Sequence, residues 1–183
     1  MANFLYVDNS NVWIEGMRVS AVASGMAKDI RDAIDRKVSD QGWKMDFGRL
    51  HEFAGGEDIG RAVLFGSRPP ANDSLWAIAE RRGFEVVVYD RNSANREKKI
   101  DTDVTANIVA DSYRLMQPGR DEITLVAGDK DYVPAVRNAA LGIKFEVVFW
   151  DHAARELKDA VNPHFVSLNP YLEHLRLKVA YLT

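Results

Sequence analysis

Apolar runs of strand length punctuate the chain at Phe4–Val7, Arg61–Phe65, Phe84–Tyr89, Ile123–Ala127 and Phe145–Trp150, with a weaker run at His164–Leu168. They are rich in β-branched and aromatic residues and do not alternate with polar ones. Such runs suit parallel strands covered on both faces. Between them, apolar positions recur at helical spacing over Met17–Ser39, Phe47–Phe53, Ser74–Arg82, Val104–Met116, Tyr132–Leu141 and Ala153–Val161. Behind Pro170, the spacing of Leu172, Leu175 and Val179 predicts a closing helix over residues 171–180 that docks on the core. Strand and helix alternate, which predicts an α/β sheet with helices on both sides. Gly55-Gly56 and Pro69-Pro70 read as loop punctuation, so residues 1–183 are expected to form a single domain.

In open α/β sheets, functional groups gather at the carboxyl ends of the strands. Acids recur at those positions here. The first strand ends in Asp8, followed by Asn9-Ser10-Asn11; the fourth leads into Gly128-Asp129-Lys130-Asp131. Asp90 and Asp151 follow two further strands and read as loop acids. Asp101 and Asp103 open the segment that continues through Val104 and Ile108. A helix there runs antiparallel to the strand it crosses, which brings its first turn to the same edge. Asp101 lies three residues before Val104 and so extends the core-facing stripe toward Asp8 and Asp129, with Asp103 and Asn107 on a neighbouring stripe.

Like charges gathered at one edge raise each other's pKa unless a cation intervenes. An all-oxygen donor set favours a hard divalent ion, Mg²⁺ or Mn²⁺. Taken singly, Asp101, Asp103 and Asp131 also suit a helix N-cap. Asp8 and Asp129 are different, because each follows a buried apolar strand where a free carboxylate needs a partner.

Composition narrows the chemistry further. Lys and Arg total 24 against 27 Asp and Glu, a net charge of −3, so no whole-chain basic footprint exists. With no cysteine, thiolate zinc sites, iron–sulfur clusters, disulfides and thiol nucleophiles are excluded. The beginning of the chain lacks a signal-peptide pattern, and no run approaches the ~20 apolar residues of a membrane span. A cytoplasmic location without membrane partners is the expectation.

At these residues the chain resembles the NYN domain of the LabA-like (DUF88) group, within the PIN-like ribonuclease superfamily. The resemblance rests on Phe4-Leu5-Tyr6-Val7-Asp8-Asn9-Ser10-Asn11, on Asp46-Phe47-Gly48-Arg49-Leu50, and on Lys98-Lys99-Ile100-Asp101. Its most specific part is Thr124–Pro134, which is similar to a strand ending in Ser-Gly-Asp-x-Asp followed by Phe-x-Pro. The resemblance implies a Rossmann-like, PIN-type three-layer sandwich with a mostly parallel central sheet. It also implies metal-dependent cleavage of RNA, in which a metal-activated water attacks the phosphorus. In that pattern Asp8, Asp101, Asp129 and Asp131 form the acidic metal centre for Mg²⁺ or Mn²⁺, Asp103 adds a nearby carboxylate, and Asn11 holds Asp8 or a water. Ala127 stands where relatives usually carry Ser, and Asn107 where they often carry another acid.

RNA, expected to be single-stranded, needs local cations on a net acidic chain. From Arg91 to Lys99 there are four basic residues (Arg91, Arg96, Lys98 and Lys99) and one acid, leading directly into Asp101. Arg68 is a further candidate and Trp13 the best stacking residue, whereas Trp76 and Trp150 suit the core. A homo-oligomer is compatible with this reading. Two alternatives stand beside the nuclease: a haloacid-dehalogenase-like phosphatase using Asp8 as nucleophile with Ser67 and Lys99, and a non-catalytic RNA- or protein-binding module.

Overall fold

The computed structural model describes residues 1–68, 74–90 and 96–178. Six parallel strands form one sheet: β1 (Asn3–Asp8), β2 (Ile59–Arg68), β3 (Glu85–Asp90), β4 (Glu122–Val126), β5 (Lys144–Phe149) and β6 (Phe165–Ser167), in the order β3-β2-β1-β4-β5-β6. Among the described residues the helices are α1 (Asn9–Ala23), α2 (Ile30–Asp35), α3 (Phe47–Gly55), α4 (Ser74–Arg81), α5 (Arg96–Arg114), α6 (Val133–Asn138) and α7 (Arg155–Val161). Right-handed crossovers from β1 toward β3 place α1 to α4 on one face, and the reversed direction of travel from β3 to β4 places α5 to α7 on the other. The expected α/β sandwich is present, and its sheet is wholly parallel.

Every residue of β1 is buried, and Leu5, Tyr6 and Val7 have no exposure at all. The central strand therefore needs apolar side chains on both faces, which explains the unbroken Phe-Leu-Tyr-Val run. The chain moves from β1 to β2 on one side and returns through α5 to β4 on the other, so the order reverses at β1. That reversal opens a crevice at the carboxyl ends of β1 and β4.

The strand positions expected from sequence are all found, but two helical assignments are corrected. Instead of one helix over Met17–Ser39, α1 begins at Asn9, directly after β1, and α2 is a separate short helix. The Asp8 side chain accepts the Asn11 backbone N–H and caps α1 at once, while Asp29 caps α2. Ser24 and Gly25, the latter at φ 78°, end α1.

The second correction is the closing helix over residues 171–180. Apart from the short 3₁₀ turn Asn169–Tyr171, residues 172–178 are turns and extended backbone with an antiparallel bridge from Arg176 to Met45; Val179 and Ala180 lie outside the described residues. The segment's backbone bonds go across to another part of the chain. Leu175 C=O accepts from Asp46 N–H at 2.8 Å, and Leu177 N–H donates to Lys44 C=O at 2.7 Å. Leu172 and Leu175 are buried as expected, by docking of this strap and not by a helical face.

At the end of β4, Gly128 is a packing requirement. A Cβ there would lie 2.1 Å from Phe149 Cδ1, and the Phe149 ring is itself buried. Gly128→Ala is expected to cost about 1–3 kcal/mol through overpacking, read as a lowered urea midpoint at unchanged slope.

Candidate metal centre at the β1–β4 edge

The site is built on capped strand ends. Asp8 is 6% exposed; one of its oxygens accepts from Asn11 N–H at 3.2 Å and the other from the Tyr132 hydroxyl at 2.7 Å. Across the crevice, β4 runs through Ala127 and Gly128 into a 3₁₀ turn over Lys130–Tyr132. Asp129 caps that turn by accepting from Asp131 N–H at 3.0 Å. The Asn11 side chain ties the two edges together, its Oδ1 accepting from Gly128 N–H at 2.9 Å. Asn11 thus holds Asp8 through its backbone and the β4 end through its side chain.

Asp101 reaches the same place from α5. The structure sets it in the second turn of the helix, because α5 begins at Arg96 and not at Asp101. The capping role considered for Asp101 and Asp103 therefore does not apply, and at β4 the cap is Asp129, not Asp131. Burial pushes the Asp101 carboxyl up to about 6, and the neighbouring charges of Asp8, Asp129 and Asp131 push the same way. A hydrogen bond from Tyr132 opposes this.

Tyr132, which sequence reasoning treated only as a helix start, is therefore central. It has no exposure, its hydroxyl donates to Asp8 at 2.7 Å, and Asp101 lies near enough for its charge to act on it. Burial and the two carboxylates raise its pKa far above the ordinary value, so it stays a neutral donor. The available signal was the aromatic residue directly after Asp129-Lys130-Asp131, at the Phe position of the resembled motif.

Not all the expected residues converge. Asp103 is two residues from Asp101, about 200° round the helix, and accepts instead from the Tyr89 hydroxyl at the end of β3. Asn107 spends its side-chain N–H on the Asp103 backbone C=O at 2.9 Å. Lys99 is exposed, with its Nζ 5.2 Å from the Tyr89 ring centroid. Arg91 lies outside the described residues. Arg68 ends β2, and Arg96 and Lys98 fall in the first turn of α5, but their side chains lie outside the described residues. Trp13 packs on Phe47 at 5.7 Å between ring centroids; Trp76 and Trp150 are core residues.

The donor chemistry suits a hard cation. The four aspartates share a field that lifts the Asp101 pKa, and they offer only oxygen. Among the described residues, however, no three acidic or histidine side chains already stand close enough together to hold an ion. The fit is one of donor type and charge; a complete ligand shell is not preformed.

A family model described as NYN domain matches residues 9–169. Among solved structures, the chain is similar to a protein of unknown function from Vibrio parahaemolyticus, with a TM-score of 0.64 and 17% identity. The match covers 91% of this chain and 92% of that chain, and at this identity it bears on fold alone. No curated protein matches.

Asp101 gives a pH-dependent stability test. Its carboxyl keeps its proton up to about 6 in the folded state, against 3.8 ordinarily. The native state therefore binds more protons between those values, and stability falls as pH rises through them. Asp101→Asn removes this penalty, and allowing for solvent screening the gain is about 1 kcal/mol at pH 7.5, or roughly 2–4 °C in Tm. Differential scanning calorimetry should show that gain shrinking as pH approaches 4.

Proposed function

The chain belongs to the NYN domain family, and we propose that it is a metal-dependent ribonuclease that hydrolyses RNA phosphodiester bonds at the acidic edge between β1 and β4. The observation that carries this reading is the mutual field of Asp8, Asp101, Asp129 and Asp131, drawn from three separate parts of the chain to one crevice. Nothing in packing alone requires four carboxylates there, and their repulsion is a cost that a bound cation offsets.

Those four aspartates would hold Mg²⁺ or Mn²⁺ through oxygen ligands. When bound, such an ion supplies Lewis acidity toward a phosphoryl oxygen and acidifies water. The rest of the work falls to the chain. Asp8 and Asp101 are held on the inner side of the crevice, whereas Asp129 and Asp131 are exposed, leaving an open approach for a phosphate. Asn11 keeps the β1 and β4 ends in register through Gly128. Lys99 is assigned a share of the grip on single-stranded RNA, and Arg68, Arg91, Arg96 and Lys98 are assigned the rest on their basic character and their places in the sequence. Asp103 is assigned to orienting Tyr89 rather than to ligation.

The phosphatase alternative finds less support. A nucleophilic Asp8 needs a free oxygen aimed at phosphorus, but both of its oxygens are engaged and the residue is buried. The binding module has one observation in its favour, the absence of a preformed ligand shell among the described residues.

Three outcomes separate these readings. The nuclease reading expects Mg²⁺- or Mn²⁺-dependent cleavage of a labelled single-stranded RNA, abolished by Asp129→Asn while RNA binding is retained within about twofold. RNA binding without cleavage under either metal selects the binding module. A chain that binds neither RNA nor metal sinks the nuclease reading.

A further inference from the structure

β3 forms one edge of the sheet, and among the described residues no strand lies on its outer side. Its faces are occupied: α4 packs against it from one side, and on the other the Tyr89 hydroxyl bonds Asp103 of α5. Val86, Val87, Val88 and Tyr89 nevertheless remain only partly buried. What stays open is the outer edge, a row of backbone N–H and C=O groups able to pair with a further strand.

The two edges of the sheet differ. β6 is cut to three residues, Phe165–Ser167, between Pro163 and Pro170. β3 runs for six, Glu85–Asp90, and its Val86-Val87-Val88 run contains no lysine, proline or glycine to discourage pairing. The charge at its start is already matched, because Arg61 donates to both Glu85 oxygens, most closely at 2.8 Å. A copy of the same strand therefore meets no uncompensated charge from Glu85 to Tyr89.

Symmetry limits how two such strands join. An antiparallel pair related by a two-fold axis keeps each face of the sheet continuous only if one residue stands opposite its own copy. Centring the axis on Val87 sets Val86 opposite Val88 of the partner subunit and Glu85 opposite Tyr89 of the partner subunit. β-Branched residues then face each other and no acid faces an acid. Centring on Val88 would set Asp90 against Val86 of the partner subunit, and centring on Val86 would set Glu85 against Val87 of the partner subunit; each opposes a carboxylate to a valine.

We propose that β3 is a self-association edge, on which a second copy of this chain adds its own β3 antiparallel across a two-fold axis at Val87. The pattern is self-complementary in that register, which is why the occupant is a second copy. The interface stands apart from the acidic edge, since β2 lies between β3 and β1.

Sedimentation equilibrium of the full chain tests this. A single added strand pair makes a small interface, so association is expected within a range of about 1–500 μM. The mass should rise with concentration from 20.6 kDa toward twice that value. Val87→Lys sets two ammonium groups opposite each other, and its dissociation constant should rise at least about tenfold while thermal unfolding stays cooperative. Should that variant fail to fold, hydrogen exchange on the wild type decides. Amides within residues 85–89 should exchange more slowly at the top of the concentration range than at the bottom. A 20.6 kDa species throughout, a dimer that survives Val87→Lys unchanged, or concentration-dependent protection confined to other residues would each overturn the proposal.

Discussion

The carboxylate of Asp8 is closed off from solvent at the end of a strand buried on both faces, and the surrounding structure is arranged to satisfy it. A buried charge must find hydrogen bonds or a counter-ion, or lose its proton balance. Asp8 finds an amide from the first turn of α1 and a hydroxyl from the turn after β4. Each bond also does architectural work. The first starts α1 directly at the strand end, with no intervening loop. The second draws the Asp129–Asp131 turn against β1, and Asn11 repeats that tie through the Gly128 amide.

The middle of the same strand offers a comparison. Tyr6, two residues before Asp8 and so on the same face, donates to Asp111 of α5 at 2.6 Å. Asp111 is paired there with Arg61, which also holds Glu85, so a guanidinium closes the network. Two buried tyrosines therefore meet aspartates around β1, Tyr6 against Asp111 and Tyr132 against Asp8. At Asp111 the negative charge is matched by the Arg61 guanidinium. At the carboxyl edge, Asp101 keeps a raised pKa in the field of Asp8, Asp129 and Asp131. The two networks differ in composition: an arginine enters the first, and the charges of Asp8, Asp129 and Asp131 act on Asp101 in the second.

Much of this was legible in the sequence, for physical reasons that can be stated. Strands buried on both faces must be apolar throughout, so Phe4–Val7 and Ile123–Ala127 announce themselves, and the topology then brings Asp8 and Asp129 together. Asp101 could be aimed correctly from Val104 and Ile108 even though the helix begins earlier, because the core-facing stripe fixes direction whatever the start. What failed was information that local pattern does not hold. The Leu172–Leu175 spacing is the same whether the leucines are buried by a helix or by a strap bonded to residues 44–46. The start of α1 was hidden because Asn9-Ser10-Asn11 has loop composition, and only the capping geometry of Asp8 makes it helical.

Tyr132 shows where reading by residue type runs short. A search for chemistry looks for acids and passes over an aromatic whose ring belongs to the core, yet the same residue has a core ring and a polar tip. The ring's burial is what gives the hydroxyl its value, since a group fixed by packing presents a preplaced donor to the Asp8 carboxylate. The division between core and site breaks down here. The residue that fills the space beneath the turn also donates to the buried carboxylate of Asp8, so packing and polar satisfaction come from one placement. The faint net charge of −3 conceals all of this, because it sums acids and bases without regard to where the fold places them.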